Sequence, residues 1–344
     1  MTRPSFPACG WLLAAGLLAA MSLANAQIPR VHEIDLYGTR KVSAARILRE
    51  AKLQKGEPLP ASRGDLEDRI NEIPGILRVR VEAVCCEGAN AILFVGVEEK
   101  DGPRVAFRSE PTGKSVLPEE LAADYQQFLA AVRQAVQQQI GNSPEQAKIA
   151  TAKSARAFEA KFAEFTSQHM TELRDVLHNA EDSEQRAIAA AVIGYAPNKV
   201  DAVAELQFAL QDPDESVRNN AMRSLKALVA AGNRDASLGL HISPTWLIEL
   251  LNSLVLSDRL QAADLLVSLS DRHDATLLDQ MRERALPALA EMARWESLRY
   301  ALPPFLLVGR IAGLNEQEIQ RRWSNGEREM VIQRALGKPA RGAK

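Results

Sequence analysis

Two periods divide the chain: short alternating apolar runs up to residue 99, and apolar positions recurring at three and four residues from 118 onward. Val31, Ile34 and Leu36 predict a strand over 31–37, stopped by Gly38. Ser43 is placed to cap a helix carrying Ile47 and Leu48, and Gly56, Pro58 and Pro60 then interrupt. A second helix is expected over 62–71, with Leu66 and Ile70 one turn apart, ended by Pro74-Gly75. Strands over 77–84 and 91–98 follow, joined by a hairpin turn at 87–90. In the first of these, Val79, Val81 and Ala83 alternate with Arg78, Arg80 and Glu82, the pattern of a half-exposed strand. The second is apolar on both faces, with Ile92 and Phe94 set against Leu93, Val95 and Val97, so it belongs at the centre of a sheet.

Between 100 and 117, Gly102-Pro103, Pro111 and Gly113 bracket a stretch with no periodicity, which reads as a linker. Tyr125, Phe128, Leu129, Val132, Val136 and Ile140 then follow helical spacing. Gly141 suits a left-handed helix end. Ser143, Pro144 and Gln146 suit the cap, first position and capping-box partner of the next helix. That helix carries Phe158, Phe162, Phe165, Leu173, Val176 and Leu177 on one stripe, and would reach roughly 50 Å if unbroken to His178.

Beyond Asn179 the sequence repeats itself. Arg-x-x-Ala recurs at Arg186-Ala189, Arg218-Ala221 and Arg259-Ala262, with a degenerate copy at Arg299 and Leu302. The intervals, about 32 to 41 residues, suit helical pairs with their turns. In the clearest copy Pro213 stops one helix, Asp214 or Ser216 caps the next, and Val217, Ala221, Leu225 and Leu228 form its buried stripe. Pro303-Pro304 departs from the pattern and predicts a break or kink.

The order strand, helix, helix, strand, strand over 31–99 resembles the POTRA domain. Gly38 after the first strand, Pro74-Gly75 before the second, and Val97-Glu98 ending the third carry the likeness. Thr39 departs from the Asn frequent there. The 206–230 copy resembles a HEAT repeat, including the Asp and Arg that ladder between neighbouring repeats in that family. The expected fold is therefore an α+β N-terminal module (β-α-α-β-β, POTRA-like) followed by an all-α HEAT-like solenoid. Its expected segments are a signal peptide (1–26), the module (27–99), the linker (100–117), a helical hairpin (118–178), the repeats (179–336) and a flexible tail (337–344).

The compartment follows from the first residues. Arg3 and the free amine precede an apolar run over 11–23, and Ala24-Asn25-Ala26 predicts cleavage after Ala26 and a periplasmic protein. An uncleaved anchor is the alternative; the run is shorter than the ~20 residues that span a bilayer. A net charge of −2 gives no basicity that asks for nucleic acid. Aromatic content of 5% with abundant Ala and Leu favours stacked helices over a β-rich enzyme fold. Cys85 and Cys86 are neighbours, which leaves reduced thiols, a strained vicinal disulfide, or pairing with another chain.

No thiol-exchange, zinc, nucleophile-elbow or phosphate-loop motif is present. His169 falls on an apolar stripe as a packed residue, and Asp271-Arg272-His273-Asp274 reads as a polar turn. Asp182, Asp212 and Asp214 mark caps and turns. From Arg310 on, eight Lys or Arg stand against four Glu, a solvated basic end.

We therefore expect no enzyme, no cofactor and no metal, and no small-molecule ligand. The expected role is a scaffold that binds protein partners in the cell envelope, near outer-membrane or secretion machinery. The POTRA resemblance implies that the second strand accepts an added strand from a partner, with Arg78, Arg80 and Glu82 as the partner-binding residues. Charges there also suit protection of an exposed edge. The chain lacks the alternating ten-residue strands of a following barrel, so it would be an accessory. The alternatives are a HEAT-like lyase and a self-assembling envelope protein.

Overall fold

The computed structural model describes residues 28–87, 90–138 and 144–337. Residues 1–27, read above as an export segment, the capping signals at Gly141 and Ser143, the turn residues Gly88 and Ala89, the side chains of Cys85, Cys86 and Gln146, and the residues beyond Gly337 lie outside the described residues.

The module runs β1 (Arg30–Tyr37), α1 (Ala44–Ala51), α2 (Arg63–Asn71), β2 (Ile76–Glu87) and β3 (Asn90–Glu99). Sheet order is β1-β3-β2, with β3 parallel to β1 and antiparallel to β2. The strand that is apolar on both faces is thus central. Ser43 and Ser62 cap α1 and α2, accepting from the amides of Arg46 and Asp65. Ile47, Leu66 and Ile70 then pack on Val31, Val81, Leu93, Val95 and Val97, filling one face of the sheet. Tyr37 and Phe94 are on the other face and belong to the core of the helical region.

Two glycines make this second packing fit. Gly38 has φ +83, and a Cβ there would lie 2.0 Å from the Val97 carbonyl oxygen, so only glycine can turn the chain out of β1. Gly96 sits opposite Tyr37 in the ladder, and a Cβ on it would lie 2.5 Å from the Tyr37 ring. Its bare backbone is the seat of the tyrosine.

The helical region is a solenoid. A hairpin of α3 (Glu119–Gln138) and α4 (Pro144–Asn179) leads into α5 (Ser183–Ile193), α6 (Lys199–Ala209), α7 (Glu215–Arg234), α8 (Thr245–Leu250), α9 (Leu256–Leu269), α10 (Ala275–Met292), α11 (Leu298–Ile311), α12 (Glu316–Ser324) and α13 (Arg328–Ala335). Helices α5, α7, α9, α11 and α13 pack in succession as one row, and the even-numbered helices flank it. The apolar stripes expected from the repeats, including Val217, Ala221, Leu225 and Leu228, are buried in this stack.

Two expectations need correction. The long helix α4 does not run unbroken: His169 leaves helical geometry at φ −123, ψ 24, with its ring stacked on Phe165 at 4.5 Å. Conversely, Pro303-Pro304 does not break its helix, for α11 continues from Leu298 to Ile311. The two missing amides deprive only the carbonyls of Arg299 and Tyr300, in the first turn. Pro304, Phe305, Leu307 and Val308 are buried, which outweighs the ~3 kcal/mol cost of an interior proline.

Candidate binding surface

Local caps show where the sheet sits. Asp182 caps α5, Asn198 caps α6 and Asp214 caps α7, each from its own turn. The starts of α9 and α11 have no side-chain cap of their own. The sheet supplies both. Glu82 on β2 accepts from the Leu256 amide at 3.1 Å, and Asp35 on β1 accepts from the amides of Glu296 and Ser297 at 2.8 and 3.4 Å. Asp35 is buried, and burial raises its pKa against the pull of those two amides. The exchange is mutual, since Glu291 of α10 takes the amides of Gly38 and Thr39 at 2.7 and 3.0 Å.

Aromatic rings fill the space between. Trp295 meets Tyr37 and Phe94 edge-on at centroid distances of 6.0 and 5.2 Å, and Tyr300 meets Phe94 at 5.5 Å. The Trp295 indole donates to the Leu36 carbonyl and the Tyr37 hydroxyl to the Leu254 carbonyl. Burial drives the Tyr37 phenol well above its ordinary range.

The repeat arginines form an ordered ladder beneath. Arg186 holds both oxygens of Asp212 at 2.9 Å, and Arg218 holds Asp258 at 2.7 Å. Both pairs are buried. Arg259 occupies the third position with no carboxylate paired to it among the described residues, its guanidinium 4.6 Å from the centroid of the Tyr37 ring. Arg299, the degenerate copy, makes no rung and lies exposed over Tyr300. Segment 100–117 has no helix and no strand and follows the ladder. Arg108 reaches Asp212, Phe107 lies 4.0 Å over Arg218, and Gly113 bonds Asn179 and Glu181 through its backbone. Sheet and strap together cover the two rungs and Arg259.

Arg78, Arg80 and Glu82 therefore divide. Arg80 pairs with Glu82 and with Glu215 at the start of α7, at 2.8 and 2.6 Å. Glu82 caps α9. The polar face of β2 expected to meet water meets the solenoid instead, because alternation reports polarity and not what lies opposite. Arg78 stays 61% exposed and pairs with Glu98.

What β2 leaves open is its backbone. It pairs with β3 on one side only. Val81 donates its amide away from β3, to the Glu67 carboxylate of α2 at 2.7 Å, so the amides of Val79 and Ala83 point the same way. Leu77, at a register shift near the start of the strand, is 43% exposed. Nothing in the sequence marked Glu67, because it reaches the edge only once α2 has packed on β2.

Elsewhere, Asp271 pairs with Arg310, His273 with Glu316, and Asp274 caps α10, so the polar turn is spent on local order. An open groove of about 920 Å³ runs beside it, with Leu240, Ile242 and Leu277 among its walls.

No family model matches this chain, and no curated protein matches it. Among solved structures, a designed armadillo repeat protein is similar at 18% identity and a TM-score of 0.33, covering 60% of this chain and 98% of its own.

Proposed function

We propose that this protein is a non-catalytic adaptor of the cell envelope, exported by its N-terminal segment, whose POTRA-like module takes an extended segment of a protein partner along the β2 edge. The observation that carries this is the unpaired outer side of β2. A row of backbone donors and acceptors there gives affinity through the main chain, with little demand on sequence. Arg78, exposed beside that edge, is the partner-binding side chain of the three. Arg80 and Glu82 hold the strand in place against the solenoid. The HEAT-like repeats supply the rigid body that presents the edge, and their remaining surface offers a second contact.

The test is a photo-crosslinker placed in cells at Leu77, the exposed residue beside Arg78. Capture of a discrete envelope protein is expected, and it should be lost in V79P, which removes one outward amide at a position where an edge strand tolerates proline. Equal capture by V79P, with the fold intact, would argue against pairing at this edge.

A further inference from the structure

Glu67 occupies the middle of the edge that a partner strand would use. Val79, Val81 and Ala83 point their amides outward, and the central one is already bonded to the Glu67 carboxylate at 2.7 Å. A strand pairing across this stretch needs that amide, since a partner carbonyl left facing an occupied donor loses its bond. The carboxylate must move aside. Glu67 is half-buried and pairs with no described lysine or arginine, so moving it without a new partner forfeits the charge-assisted hydrogen bond it holds.

We propose that Glu67 is a latch on the β2 edge, and that the extended partner segment carries a lysine or arginine whose cation draws the carboxylate off the Val81 amide. This rests on β2 being the partner-accepting edge. The exchange trades one charge-assisted hydrogen bond for another and frees the amide for the ladder. The surroundings fit a basic, apolar segment: residues 62–72 hold Asp65, Glu67, Asp68 and Glu72 against Arg63 and Arg69, and Leu77 and Val79 lie on the same strand.

The β2 strand of a second copy does not supply that cation. In an antiparallel pairing of two β2 edges, outward-pointing residues oppose one another and share a face. The side chain of Val81 is buried on the α2 face, so the second copy would bring Val79, Val81 and Ala83 to Glu67, and none carries a charge.

Two labelled Thr/Val-rich strand peptides, identical except for a central Lys or Gln, test this against the full-length protein. Wild type is expected to bind the Lys peptide about tenfold more tightly, the scale of one charge-assisted bond. E67Q should erase that preference. Independently of any peptide, amide exchange at Val81 should speed up about tenfold or more in E67A. Equal binding of both peptides to wild type, with Val81 exchange unchanged in E67A, would remove the latch and leave the edge standing. Binding of neither peptide to wild type or E67Q would remove the edge as well. Self-association through β2, lost in V79P, would make the occupant a second copy and overturn the choice of a basic partner.

Discussion

Asp35 caps the helix that begins after Ser297, 262 residues further along the chain, through the backbone amide of Ser297 and that of its neighbour Glu296. A strand residue thus completes a repeat of the solenoid, and Glu82 does the same for the preceding odd-numbered helix. The module and the solenoid are therefore joined by unmet backbone needs as well as by apolar contact.

Removing that cap should weaken the solenoid at a distance in sequence. D35A is expected to cost about 1 kcal/mol, the usual worth of an N-cap. In hydrogen exchange the loss should concentrate at the start of α11. Loss confined to the sheet would contradict the cross-cap.

Because the caps, Trp295 and Glu291 bind the two parts together, the full chain should unfold in one calorimetric transition. Two separated transitions, the first belonging to the sheet, would show that the interface is too weak to couple them.

The rungs should respond asymmetrically. D212N leaves buried Arg186 without its counter-charge and is expected to cost about 3–5 kcal/mol, whereas R186M leaves Asp212 still paired with Arg108 and should cost less. The double change D212L/R186M should recover a large part of it. A denaturant-melt cycle measures the coupling, and simple additivity would mean that the pair contributes nothing jointly.

Acid should act through the same carboxylate. Burial pushes the Asp212 carboxyl up, but hydrogen bonds from Arg186 and Arg108 outweigh it and hold its pKa below the ordinary 3.8. A pKa lowered by folding gives stability that is present above the unfolded value and lost as pH falls through the folded one. Thermal melts of wild type should therefore drop as pH falls below 3.8, and D212N should drop less over the same range. Parallel pH curves for the two proteins would remove Asp212 from the acid response.

Among the three charges of β2, E82A should lower Tm more than R78A, because Glu82 caps α9 while Arg78 is largely exposed and its partner Glu98 keeps Arg104. In the crosslinking assay the ranking reverses for a partner bound at the edge, with R78A weakening capture. A folded, fully stable E82A would mean that its bond to Leu256 carries no load.

The amino-acid sequence by itself determined whatever depends on near neighbours. The alternation in 77–84 and 91–98, the serines before α1 and α2, Asp182 and Asp214 at their turns, and the recurring Arg-x-x-Ala all act within a few residues or on one face of one element. They yielded the element order and the central β3, while an Asp–Arg ladder was implied only by the HEAT resemblance and its partners, Asp212 and Asp258, stand 26 and 40 residues from their arginines. Tertiary structure alone decided which polar face meets water and which meets another part of the chain. Arg80 and Glu82 look solvent-facing by period but are held by α7 and α9. Pro303-Pro304 looks like a stop, yet the burial around it keeps the helix whole. Asp35, Glu291 and Glu67 find their partners only after distant segments pack. Periodicity encodes the side to which a residue points, and the free energy of what stands there is fixed only when the layers close.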